Sequence, residues 1–189
     1  MSHQAFIGLG ANLESPAGAP QQTLPAAIAD LSAAGRVVAQ SSLYCTEPLG
    51  LQAQPAFLNA VVQLETALEP VTLLQFLLAL ERRYGRDRSR EMPKGPRTLD
   101  LDLLLMDAMI LEQPGLIVPH PALPQRRFVL QPLAEIAPQL RHPLTGKTIA
   151  ELLAELPDEG ANRRDAVRKL GPPSGHKQPG WVLESSEGN

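Results

Sequence analysis

Between Arg97 and Met106 the chain reads RTLDLDLLLM, and this alternation limits its fold more than any other stretch. Residues two apart on a β-strand share a face, so Asp100 and Asp102 point one way while Leu99, Leu101 and Leu103 point the other. A strand with a leucine face lies on a core, and a face with two carboxylates must meet water, a cation or a ligand. The preceding segment is dense in cations, with Arg82, Arg83, Arg86, Arg88, Arg90, Lys94 and Arg97 close together. Two readings stand at this point. One is a half-buried strand behind a solvated loop; the other is a metal-assisted site for a polyphosphate.

The rest of the pattern places that strand in a fold. Ala5 to Leu9 reads as a strand, Thr23 to Ala34 as a helix stopped by Gly35, and Arg36 to Tyr44 as a second strand. Thr46 to Pro55 is a loop. Phe57 to Leu68 alternates Val62 and Leu64 against Gln63 and Glu65, a strand with one solvated face. Pro70 opens a helix whose leucine stripe runs to about Tyr84, and Leu99 to Met106 is the next strand. The order strand, helix, strand, strand, helix, strand predicts an α+β ferredoxin-like sandwich: an antiparallel sheet with two main helices on one side. The other face is left open to form a site or to be covered by C-terminal elements. Phe128 to Ile136 and Ile149 to Leu156 read as two such helices. One catalytic domain over 1–160 is expected, with 161–189 a Pro/Gly-rich flexible tail that Trp181 and Val182 dock back onto the domain.

Bulk properties mainly exclude. The chain has 189 residues and a formal net charge of −3, a balance that demands neither nucleic acid nor an acidic membrane as partner. The single cysteine, Cys45, precludes a disulfide framework or a cysteine metal cluster. No apolar run is long enough to cross a bilayer and no signal-peptide pattern opens the chain, so a cytoplasmic monomer is expected. No GK[ST] follows Gly8 and Gly10, so they form no P-loop, and neither a Rossmann fingerprint nor a nucleophile elbow is present.

Carboxylates are hard oxygen ligands suited to Mg²⁺, which shares its coordination with waters and substrate phosphates. Arg86, Arg88 and Arg97 offer planar, permanently charged forks for phosphate oxygens. His120, held between two prolines and followed by Arg126 and Arg127, can hydrogen-bond a phosphate or the attacking oxygen. Phe57 and Phe128 are stacking surfaces for a flat heterocycle, or simply core. Asn59 shares the face of Phe57 and supplies a polar recognition edge. On the residues alone, a ferredoxin-like module binding nucleotide or RNA and another metal-dependent phosphoryl or nucleotidyl transferase both remain open.

The segments GLGANL, YCTEPLG, QPAFLNAVVQLET, LERRYGR, GPRTLDLDLLL, VPHP and RRFVLQPLAEIAP occur in this order between Ala5 and Leu153. In this the chain resembles the 6-hydroxymethyl-7,8-dihydropterin pyrophosphokinases of folate biosynthesis. The resemblance implies a ferredoxin-like enzyme that moves pyrophosphate from ATP to the pterin hydroxymethyl group and releases AMP. It implies Asp100 and Asp102 as ligands of two Mg²⁺ ions, and catalytic roles for these two with Arg86, Arg88 and Arg97. Glu81, Arg86, Arg88, Arg97, His120 and Arg126 resemble the residues that handle the nucleotide and its phosphates. Thr46, Pro48, Leu49, Gly50, Phe57, Asn59 and Phe128 resemble the pterin pocket, the two rings sandwiching the pterin. The loops around 46–55 and 85–97 correspond to mobile covers. The chain departs from the pattern at Phe57, where some members carry tyrosine. It departs also at Met92-Pro93-Lys94, where some place an arginine and a tryptophan, and at Leu78, which replaces a polar residue.

Overall fold

A computed structural model describes residues 1–47, 54–89, 92, 95–157 and 167–170. Its main sheet contains β1 (His3–Ala11), β2 (Arg36–Gln40), β3 (Tyr44–Thr46), β4 (Phe57–Thr66), β5 (Asp100–Met106) and β8 (Arg168–Lys169). The strands run in the order β5-β1-β4-β3-β8, with β2 also on β4, and every pairing is antiparallel. Helices α1 (Pro20–Asp30) and α2 (Pro70–Arg83) cover one face. There Leu24, Ala27, Leu73, Leu77 and Leu80 pack on Ile7, Leu9, Val62, Leu64 and Leu101. This is the expected ferredoxin-like sandwich, with β2 and β3 together serving as its second strand.

Part of the opposite face is closed by α3 (Arg127–Ile136) and α4 (Ile149–Glu155). Leu130, Leu133, Ile149 and Leu152 bury Phe6, Val61, Leu104 and Leu105 beneath them. The face of β4 expected to be solvated is therefore covered where Val61 meets α3, and only toward Gln63 and Glu65 does it become half-buried. Thr148 caps α4, its Oγ1 accepting from the Glu151 amide while Glu151 accepts from the Thr148 amide.

Three local differences from the sequence reading have physical causes. The second strand breaks at Ser41 because side chains take over its ladder. Ser41 Oγ accepts the Val61 amide at 3.0 Å, and Glu135 accepts the Ser42 amide at 2.9 Å. The first helix begins at Pro20, earlier than Thr23, because proline suits the first helical position and Gln22 reaches back to the Ala19 amide. Gly35 follows a short 3₁₀ turn over Leu31–Ala33, and what requires glycine there is closeness. A Cβ at Gly35 would stand 2.2 Å from the carbonyl oxygen of Glu65.

A small hairpin of β6 (Leu111–Gln113) and β7 (Leu116–Val118) turns at Pro114-Gly115, where Gly115 has φ +82°. It delivers His120 alongside β5, its amide donating to the Leu104 carbonyl at 2.8 Å. β8 falls within the segment expected to be a tail; it pairs with β3, and Leu170 beyond it is buried. Trp181 and Val182 lie outside the described residues. No helix among the described residues is long and apolar enough to cross a membrane.

Candidate active site

On the face shared with α3, β1 presents Phe6, Gly8 and Gly10 in turn. Gly10 stands opposite Asn59 of β4 and Asp100 of β5, and Gly8 opposite Val61 and Asp102. Two successive positions on this face of the central strand thus lack side chains, and at Gly10 both neighbours are polar. The result is a cavity of about 270 Å³. Its floor is Gly10, Asn59, Asp100 and Asp102, and Thr46, Glu47, Gln54, Phe57, Arg97, Arg126 and Phe128 wall it in. Arg97 lies over the Phe57 ring at 5.5 Å from its centre, and Arg126 over Phe128 at 5.7 Å. Asn59 Nδ2 donates to Thr46 Oγ1 at 2.9 Å, which leaves the threonine proton available to an acceptor in the cavity.

Behind the floor lies a buried charge network centred on Glu81, whose residue is 1% exposed. Its carboxylate accepts from Arg86 at 2.7 Å, from Arg88 at 2.8 and 2.9 Å, and from the Leu101 amide at 2.8 Å. Arg86 also donates to the Leu99 carbonyl and to Asp100, and Arg97 donates to the other Asp100 oxygen at 2.6 Å. The strand carrying the aspartates is thereby tied at its first turn of pleat to the end of α2.

The two carboxylates differ electrostatically. Burial pushes the Asp100 carboxyl up, but the Arg97 and Arg86 guanidiniums outweigh it and hold the group below the ordinary carboxylate range. Among the described residues, the cationic groups nearest Asp102 stand farther off. His120 Nε2 is 4.0 Å and Arg126 3.9 Å from its carboxylate, and burial together with the Asp100 charge pushes it up to about 6. Burial, helped by the Arg126 charge, lowers the His120 imidazole, whose Nδ1 accepts the Ala122 amide at 3.1 Å. Neutral His120 therefore keeps Nε2–H as a donor toward Asp102 and the cavity.

These groups suit Mg²⁺. Asp100 and Asp102 offer hard oxygens from one wall, and among the described residues no third histidine, cysteine or carboxylate joins them in a closed cage. A cation held so would keep open positions for waters and phosphate oxygens, the coordination that magnesium prefers.

Thr46, Phe57, Asn59, Arg97, Asp100, Asp102, Arg126 and Phe128, all singled out from the sequence, line the same cavity. His120 stands beside it. Glu81 and Arg86 lie behind the floor, and Arg88 reaches from its rim to Glu81; none of these three is among the cavity-lining residues. Pro48, Leu49 and Gly50 lie outside the described residues, as does most of Arg90–Lys94. Sequence reasoning missed Gly10, Glu47, Gln54 and Asn12. Asn12 joins three segments: its Oδ1 accepts the Arg97 amide at 2.8 Å, its amide donates to the Arg97 carbonyl, and its Nδ2 donates to Pro55 O and Gln54 Oε1. The usable signal was the G-x-G spacing on a strand, which leaves one face empty at two consecutive positions.

Comparison with known proteins assigns the chain to a family. Over residues 6–138 the chain matches the family model for 7,8-dihydro-6-hydroxymethylpterin-pyrophosphokinase. It is 44% identical over 163 residues to the 2-amino-4-hydroxy-6-hydroxymethyldihydropteridine pyrophosphokinase of Pseudomonas aeruginosa, covering 86% of this chain and 98% of that one. It is 42% identical over 147 residues to the protein of the same name from Bacillus subtilis, covering 77% and 84% of the two chains. In fold it is similar to the crystal structure of wild-type Plasmodium falciparum HPPK-DHPS, with a TM-score of 0.68 at 14% identity. That superposition covers 90% of this chain and 48% of the parasite protein, about half its length. The chain belongs to the 7,8-dihydro-6-hydroxymethylpterin-pyrophosphokinase family.

Proposed function

We propose that this cavity transfers pyrophosphate from ATP to the hydroxymethyl group of 6-hydroxymethyl-7,8-dihydropterin, releasing AMP, as a step of folate biosynthesis. The observation that carries the reading is the meeting, in one cavity, of a two-carboxylate floor with two phenylalanine rings and two arginines. The alcohol oxygen bonds to the β-phosphorus as the bond from that phosphorus to the AMP oxygen breaks, and the hydroxyl proton passes to solvent. Asp100 and Asp102 would hold Mg²⁺, two ions in all, which would supply positive charge against the phosphates and polarise the phosphorus under attack.

The protein's own groups do the rest. Phe57 and Phe128 present flat apolar faces to the pterin, while Thr46 and Asn59 read its polar edge. Arg97 and Arg126 stand on the phosphate side of the same rings, and Arg88 and His120 add donors at the rim. Arg86 and Arg97 neutralise Asp100 in the ligand-free state; Arg97, the more exposed of the two, exchanges that carboxylate for phosphate oxygens when the nucleotide enters. Glu81 touches no substrate in this account. It is a positioning residue that fixes Arg86 and Arg88.

The test is product identity. Incubated with ATP, Mg²⁺ and the reduced hydroxymethylpterin, the protein should yield AMP and a pyrophosphorylated pterin in equal amounts. Formation of ADP, or nucleotide turnover independent of pterin, overturns the proposal. The acidic floor disfavours RNA, whose recognition requires a basic sheet with stacking platforms.

A further inference from the structure

We infer that the C-terminal strand β8, which lies beyond residues 6–138 matched by the family model, is a positioning element of the pterin wall and acts through Glu135. The inference rests on the placement of the pterin beside Thr46, Asn59 and Phe128 proposed above. Glu135 is on α3, the helix whose first turn carries Phe128. Its carboxylate accepts from the Ser42 amide at 2.9 Å, Ser42 Oγ at 2.8 Å and Tyr44 Oη at 3.0 Å, all on or just before β3, the strand that ends at Thr46. The Lys169 ammonium of β8 completes the set at 2.9 Å. One carboxylate therefore joins the two elements that carry Thr46 and Phe128 into the cavity lining, and its only cationic partner among the described residues comes from β8.

Two further contacts keep β8 in register. Leu170 donates its amide to the Leu43 carbonyl at 2.8 Å and is buried in the core between sheet and helices. Arg168 stands 4.0 Å from Glu47, a residue of the cavity wall. Without Lys169, Glu135 would gather three neutral donors around an uncompensated charge, and charge-assisted bonds are roughly twice as strong as neutral ones. The spacing between α3 and β3 would loosen. The aspartate floor, held by Glu81 from the other face of the sheet, would not.

That asymmetry gives the test. Steady-state kinetics on the full chain should show that Lys169→Met raises KM for the pterin about three- to fivefold, the scale of one partly exposed ion pair. KM for ATP should stay within about twofold. Lys169→Arg, which keeps the cation, should restore the wild-type value, and Glu135→Gln should reproduce the Lys169→Met pattern. Equal rises in both KM values, or no change in either, overturn the inference. Asn59→Ala separates it from the reading it rests on. If Asn59→Ala raises the pterin KM and Lys169→Met does not, only the role of β8 fails. If Asn59→Ala leaves the pterin KM unchanged, the pocket assignment fails and the inference falls with it.

Discussion

Replacing Glu81 with alanine separates two roles that the residue could play. The family resemblance puts Glu81 with the nucleotide-handling residues, whereas the structure buries it at 1% exposure behind the cavity floor. Alanine removes the acceptor of four hydrogen bonds. Breaking a buried ion pair costs about 3–5 kcal/mol, and the lower end applies because Arg86 keeps Asp100 and the Leu99 carbonyl. The Arg88 side chain is 52% exposed, so solvent screening reduces its share to less than about 1 kcal/mol. Leaving the buried Leu101 amide without an acceptor adds about 1 kcal/mol. The total is roughly 3–5 kcal/mol. At about 2–4 °C per kcal/mol for a chain of this size, Tm should fall by roughly 6–20 °C. Glu81→Gln keeps an acceptor for Leu101 but turns an amide donor toward a guanidinium, so its loss should be intermediate. The assay is thermal unfolding followed by circular dichroism, beside KM for ATP. A Tm within about 2 °C of wild type, with KM for ATP raised, would refute the buried-hub reasoning and return Glu81 to the nucleotide.

Three further outcomes follow from the same structure. Asp102→Asn should abolish nearly all turnover yet, without divalent cations, match or exceed the wild-type Tm at pH 7. The wild-type carboxyl, pushed up to about 6, penalises folding when ionised, so the variant's advantage should vanish below about pH 4, where Asp102 is protonated in both states. A variant less stable than wild type at pH 7 contradicts that origin. Gly10→Ala should fold at least as stably, since the added Cβ meets nothing nearer than Asn59 Oδ1 at 3.4 Å, while the methyl group enters the cavity and lowers kcat/KM about tenfold or more; unchanged kinetics would remove Gly10 from the site. His3 is raised by its 2.6 Å bond to Asp107 and by Glu69, so its stabilisation is full below pH 6.5 and is lost as pH rises through the higher folded value. Asp107→Asn should therefore cost more Tm at pH 5.5 than at pH 8.5, and a pH-independent loss would assign the effect to the Gln4 amide bond instead.

How much of this was legible depended on whether the signal was local. The alternation in RTLDLDLLLM and the Pro70 start of α2 gave those elements to within a residue, because periodicity and capping are properties of neighbouring positions. The break at Ser41 was not legible, since it depends on Ser41 Oγ meeting an amide twenty residues away and on Glu135 from α3. β8 has only two residues and no period to read. In the site, charged and aromatic residues announced themselves by type. Asn12 did not, because its importance lies in three partners that the sheet brings to it. Glu81 entered only through the resemblance; its burial was not legible, because it depends on Arg86 and Arg88 folding back onto the end of α2.

The position of the site follows from a gradient along three neighbouring strands. On the face toward α3, β1 runs Phe6, Gly8, Gly10; Val61 and Asp102 stand opposite Gly8, and Asn59 and Asp100 stand opposite Gly10. Around Phe6 the face is filled by Val61, Leu104 and Leu105, and α3 and α4 close over them. At Gly10 the central strand is empty and both of its neighbours are polar, so the helices have little to pack on and a cavity remains. A slip of one residue in β5 would carry both carboxylates into the leucine core against α1 and α2, and each would need several kcal/mol of compensation there. The network from Glu81 opposes that slip, because Glu81 accepts the Leu101 amide at the free edge of the strand while Arg86, bound to the same carboxylate, reaches Asp100. Register and chemistry are thus held by the same few bonds, and a substitution that loosens one should loosen both.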